Sequence, residues 1–256
     1  MHHDIKTIMK KLYLLALLTL FTSLASAQNY KPEYGKPLIE LTEINPWQMV
    51  IGSDVPTFVL YQNGQIIYKK QVKNKVKYYK TSIPKNEIQA AFRKLGVTDS
   101  LKALPSYISA TYATDQPTSE LIINSDFHAQ TLVYGSLRYE KSPAREKTPK
   151  AFLNVFDKLI NFKDNKAKEW LPDSVEVMLT SYSYSPETPM NWPAGWPDLK
   201  DKHTVQRSVD LYSVYIDRKD LDKLKKLINS MGEKQAVKVS GRLFSIAYRF
   251  PFPNIK

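Results

Sequence analysis

Residues 211–228, LYSVYIDRKDLDKLKKLI, lie without a gap over residues 78–95, YYKTSIPKNEIQAAFRKL. Tyr79 meets Tyr212 and Ile83 meets Ile216, while Lys85/Arg218, Glu87/Asp220, Ile88/Leu221, Arg93/Lys226 and Leu95/Ile228 keep their charge or apolar character in one register. Each copy reads as the end of a strand turning into an amphipathic helix. Each is followed by an apolar, strand-like run, which predicts a repeated αβ unit.

Just before the first copy, residues 58–68, FVLYQNGQIIY, set two strand-like runs on either side of Asn63-Gly64, a pair suited to a type I′ hairpin turn. The second run continues into residues 69–80, KKQVKNKVKYYK, where Lys69, Lys70, Lys73, Lys75, Lys77 and Lys80 interleave with valines and tyrosines. Strand alternation places many of these lysines on one face. Two readings suit such a strip: a polyanion-binding surface, or an edge strand guarded by lysines against pairing with other chains.

After the first helix, stopped by Gly96, short strands are expected at residues 107–112, 120–123 and 127–134. A second helix is capped by Thr148, with Pro149 in its first position and Phe152, Val155, Phe156 and Leu159 along one stripe. Strands follow at residues 175–184 and 209–216, and Asp217 and Asp220 begin the third helix. A hairpin about Ser240-Gly241 ends the pattern. Strands run in groups between the helices, which predicts an α+β fold. Its expected form is mainly antiparallel sheet with three helices, the two copies forming related αβ halves in tandem.

The corresponding division is a signal peptide over residues 1–27, a leader and strand over 28–57, a first half over 58–162, a linker over 163–172 and a second half over 173–256. From Met9, Lys10 and Lys11 precede an apolar run over residues 12–21 and the small-residue site Ala25-Ser26-Ala27, the pattern of a cleaved secretory signal. The expected destination is periplasmic or extracellular. No cysteine is present for a lipid anchor, a disulfide, a thiolate nucleophile or a Cys-ligated zinc. From Gln28 onward the chain holds 34 basic and 24 acidic residues, a net charge of +10. That surface favours an acidic polymer, a glycan or an acidic envelope protein, and export makes nucleic acid an unexpected partner.

Candidate chemistry is sparse. Asp126 and His128 share one face of a strand, but two ligands do not complete a metal site, and no cofactor motif is present. Asp115, Glu120 and Asp126 lie near consecutive turns and are the acids a hydrolase acting on an envelope or extracellular polymer would use. In the proline-rich stretch 185–199, Trp192 and Trp196 form either a rigid stacking platform or a lid over the core. The reading favoured by the sequence is an exported, non-enzymatic binding or interaction module. Its binding candidates are Trp192, Trp196, Lys69, Lys73, Lys75 and Lys77; the alternative is the secreted hydrolase.

Overall fold

The computed structural model describes residues 30–48, 50, 52–73 and 75–255, so the signal expected over residues 1–27 lies outside the described residues. Two mixed sheets carry the architecture. The larger is built from β1 (Pro37–Ile44), β2 (Pro56–Tyr61), β3 (Gln65–Val72), β4 (Lys75–Ser82), β5 (Tyr107–Ser109), β6 (Thr118–Asn124), β7 (His128–Tyr134) and β8 (Lys168–Glu169). Its spatial order is β5-β7-β6-β1-β2-β3-β4-β8. The smaller is built from β9 (Ser174–Ser181), β10 (Met190–Asn191), β11 (Val205–Ser208), β12 (Leu211–Asp217), β13 (Val237–Val239) and β14 (Arg242–Arg249), in the order β10-β13-β14-β9-β12-β11. The helices are α1 (Ile88–Leu95), α2 (Pro143–Lys147), α3 (Lys150–Ile160) and α4 (Leu221–Ser230).

The fold is α+β and mostly sheet, with two corrections. Each sheet contains one parallel pair, β5 with β7 and β10 with β13, so both are mixed. Four helices are present among the described residues, the extra one being the five-residue α2, which lies between the strand expected at 127–134 and the helix expected after Thr148. Its start obeys ordinary rules: Ser142 accepts a hydrogen bond from the Ala144 N–H, and Pro143 needs no donor in the first turn. Thr148 therefore does not cap α3. Its hydroxyl donates to the Ala144 carbonyl at 2.8 Å and closes the end of α2.

The repeated stretch keeps its register through the helix starts. A 3₁₀ turn at Lys85–Glu87 leads into α1, and one at Arg218–Asp220 leads into α4, matched residue for residue. Tyr79, Ile83 and Ile88 pack on the core beneath α1 and α3, and Tyr212, Ile216 and Leu221 on the core beneath α4. The sheets around these units differ. β4 is separated from β1 by two strands, whereas β12 lies directly against the central β9.

One face of the larger sheet, with Ile39, Leu41, Phe58 and Leu60, packs on Phe92 of α1 and on Phe152, Val155 and Phe156 of α3. Burying an aromatic or branched side chain of this kind contributes about 1.5–3 kcal/mol. The opposite face, with Val59, Tyr61 and Ile67, shares a core with the smaller sheet and with Phe250 and Phe252 of the C-terminal segment. Tyr78 meets Phe250 edge-on at 5.0 Å, and Trp170 meets Phe252 at 5.1 Å. The two ends of the described chain are latched here. Asn254 accepts from the Lys31 N–H at 2.7 Å and donates to the carbonyls of Lys31 and Gly35.

The hairpin about Asn63-Gly64 forms, but its loop has three residues. The Gly64 N–H donates to the Tyr61 carbonyl at 2.9 Å, and only Gly64 takes a positive φ, +86°. A β-carbon on Gly64 would lie 2.1 Å from the Ile83 carbonyl oxygen, so the close approach of the β4–α1 connection requires glycine. Two successive positive φ values occur instead at Ser240 and Gly241, between β13 and β14, as a type I′ turn needs.

Candidate binding surface

The lysine run does not form one strip. It reverses at Lys73, φ +48°, into the hairpin β3–β4, so Lys70 lies opposite Lys77 and Val72 opposite Lys75. Lys69 pairs with Tyr78 one step along and therefore points to the other face. Alternation read through a turn assigns faces wrongly, because the reversal restarts the count.

The singled-out lysines thus have separate roles. Lys77 pairs with Glu169 of β8 at 2.8 Å and ties the edge strand to its neighbour. Lys69 is half-buried: burial pushes its ammonium below the ordinary lysine range, opposed by the nearby carboxylates of Glu43 and Asp54. Glu43 in turn takes both donors of Arg138 and the Thr57 hydroxyl. Burial alone would raise its carboxyl, but these donors hold it below the usual range. Lys73 and Lys75 remain exposed at the hairpin tip beside the exposed Lys70, and among the described residues none of the three has an acidic partner.

Trp192 and Trp196 come together edge to face, ring centres 5.0 Å apart. Trp196 is only 9% exposed, belongs to the core of the smaller sheet, and carries the Lys223 ammonium 5.4 Å over its ring. The Trp192 indole N–H donates to the Pro197 carbonyl at 2.9 Å, and part of this ring stays in solvent. The loop is held down by the short parallel pairing of β10 with β13.

The acids are not gathered. Asp115 precedes β6 and Asp126 follows it, so the seven residues of that strand, about 23 Å at 3.3 Å each, separate them. Two glycosidase carboxylates stand within about 5–10 Å of each other. Glu120 accepts from the Gln130 amide at 2.6 Å, and Asp126 accepts from the Ser125 hydroxyl. His128 shares a hydrogen bond with Asn124 and not with Asp126, and His203 lies 3.4 Å from Asp201. No group of three or more metal-ligating side chains occurs among the described residues.

Several features escaped the sequence reading. Glu176 is fully buried on β9 and receives Arg249 at 2.8 Å, Arg207 at 2.8 Å and the Ser213 hydroxyl at 2.6 Å. Burial works to raise its carboxyl; Arg249 first, then Ser213 and Arg207, bring it below the ordinary range. A lone glutamate inside VEVML was the available signal, but its partners depend on β11, which the sequence reading omitted. A cleft of about 280 Å³ lies at the seam between the sheets, walled by Tyr34, Trp170 and Pro251 and carrying Lys31, Glu33, Lys80 and Asp173. Lys31 and Asp173 approach to 3.6 Å there. Trp47 is 72% exposed on the β1–β2 loop, where its N–H bonds the Asn45 side chain.

Comparison with protein-family models, curated proteins and solved structures found no match. No helix among the described residues is long and apolar enough to cross a membrane.

Proposed function

We propose that this chain is an exported, non-enzymatic binding module whose ligand is polyanionic, engaged through the tip of the β3–β4 hairpin. The observation that carries the reading is the exposure of Lys70, Lys73 and Lys75 at that tip without an acidic partner among the described residues. An edge-protecting lysine needs only to interrupt strand pairing. At a hairpin tip, beyond the short pairing of β4 with β8 at Tyr79 and Lys80, lysines project past the edge and meet a partner end-on. The net charge of +10 from Gln28 onward draws anions to the whole surface.

The test is titration of an acidic polysaccharide and of inorganic polyphosphate at about 0.01 M and about 0.1 M salt, between which the Debye length falls from about 30 to about 10 Å. Lys70→Glu/Lys75→Glu is compared with the unchanged chain. Binding that weakens with salt and with the paired substitution supports the reading. Binding that ignores both, or no binding to either polymer at the lower salt, removes it.

A further inference from the structure

The cross-strand register brings four loops and hairpin ends to one end of the larger sheet. Ile44 of β1 faces Thr118 of β6, Thr118 faces Tyr134 of β7, and Tyr134 faces Ser109 of β5. On the other side Thr42 faces Pro56 of β2, and the antiparallel pairing of Phe58 with Tyr68 carries the same level to Lys70 and Lys77. The chain beyond this row forms a rim seven strands wide, about 29 Å at 4.8 Å per strand.

Exposed aromatic side chains stand along the rim. Trp47 follows β1, Tyr139 follows β7 at 75% exposure, and Tyr112 follows β5 at 94%. The Lys147 ammonium lies 4.4 Å over the Tyr112 ring, and Arg138, beside Tyr139, is tied to Glu43 at the end of β1. Lys70, Lys73 and Lys75 close the row at the hairpin. On the aromatic loops Asp115 and Glu140 are balanced by Lys141 and Lys147, so the net positive charge of the rim is concentrated at the hairpin end.

Resting on the reading of the hairpin as an anion-binding element, we infer that this rim docks on an anionic phospholipid surface. Separate projecting tips make a line of contacts suited to a plane, and the seam cleft lies toward the other end of the sheet, with Tyr34 and Lys80. Tryptophan and tyrosine settle at the headgroup level, where an apolar ring is covered and its polar edge stays wet. Lysines beside them add attraction to acidic headgroups. A soluble acidic polymer would need the lysines alone and gives no reason for an indole held in water on the neighbouring loop.

The experiment uses the chain from Gln28 onward with vesicles of phosphatidylcholine, with and without phosphatidylglycerol, read by co-sedimentation and tryptophan emission. Binding to the phosphatidylglycerol vesicles is expected, with a blue shift that disappears in Trp47→Phe, because Trp170 and Trp196 are already buried and the half-buried Trp192 follows β10 of the smaller sheet, away from the rim. Each lysine near an anionic surface contributes about fivefold, so Lys70→Glu/Lys75→Glu lowers partitioning at least about 25-fold. Trp47→Ala lowers it severalfold with an unchanged melting temperature, as an exposed side chain should. Lysine-dependent binding to polyphosphate but not to vesicles overturns this inference and leaves the hairpin reading standing. Vesicle binding with no emission shift and no response to Trp47→Ala also overturns it, since adsorption then rests on charge alone. Failure to bind vesicles or either soluble polymer overturns both.

Discussion

Glu40→Gln should stabilise the protein at pH 8 and leave it unchanged near pH 4.5. Glu40 lies on β1 between Val59 of β2 and Ile122 of β6, in the interior of the larger sheet. Among the described residues its carboxyl has one hydrogen-bond partner, the Thr42 hydroxyl at 3.4 Å. Burial, and then the like charge of Glu120, push it from 4.5 up to about 7. In the unfolded chain the group ionises near 4.5, so between that value and about 7 the folded state holds a proton that the unfolded state has released. Stability therefore falls as pH rises through this window, and the full cost is present above it. A difference of about 2.5 pK units at 1.36 kcal/mol each sets a ceiling near 3 kcal/mol, which partial solvent access reduces to about 1–2 kcal/mol. The amide keeps the shape without the charge. For a chain of this size the expected gain in melting temperature at pH 8 is about 2–8 °C. Thermal melts of the two proteins at both pH values supply the measurement, with Glu120→Gln as a control that removes the like charge and should give a smaller gain. An equal gain at both pH values, or none at pH 8, would refute the electrostatic argument.

Glu176→Gln should cost about 3–5 kcal/mol in urea unfolding, because it leaves the Arg207 and Arg249 guanidiniums facing each other without their counter-charge. As its carboxyl is depressed in the fold, the stability it supplies is present above the unfolded value near 4.5 and is lost as pH falls through the lower folded value. Trp196→Ala should lose about 3–5 kcal/mol in the same assay. Trp196→Phe should lose far less than its change in size suggests, since the buried indole N–H has no hydrogen-bond partner among the described residues to forfeit. Asn254→Ala removes three hydrogen bonds to the N-terminal segment at a residue held at φ +58°; a loss of about 1–3 kcal/mol and faster amide exchange at Lys31, Tyr34 and Gly35 are expected.

Local signals in the sequence read well wherever one residue type decides a backbone state. Gly96 ends α1 at φ +85°, Asp217 accepts from the Lys219 N–H before α4, and β6 and β7 fall where alternation places them. What the sequence hid depends on pairing at a distance. β1 was expected as a strand after the leader, but its place inside the larger sheet arises because β6 returns to its free side. β11 was missed because Val209-Asp210, between two strands, resembles strand continuation more than a turn. Glu176 could not be matched with Arg207 without that strand.

The hairpin tip shows how such an omission changes function. Read as one strand, the lysine run is a lateral strip that would lie along a linear polymer. Folded at Lys73, its six lysines divide into the half-buried Lys69, the ion-paired edge residue Lys77, Lys80 at the seam cleft, and three charges without an acidic partner among the described residues at a projecting end. A projecting end reaches a surface before the flank of the sheet does, and it shares that direction with Trp47, Tyr112 and Tyr139 because their strands end at the same level. The direction of contact therefore follows from strand register, which no count of lysines in the sequence contains.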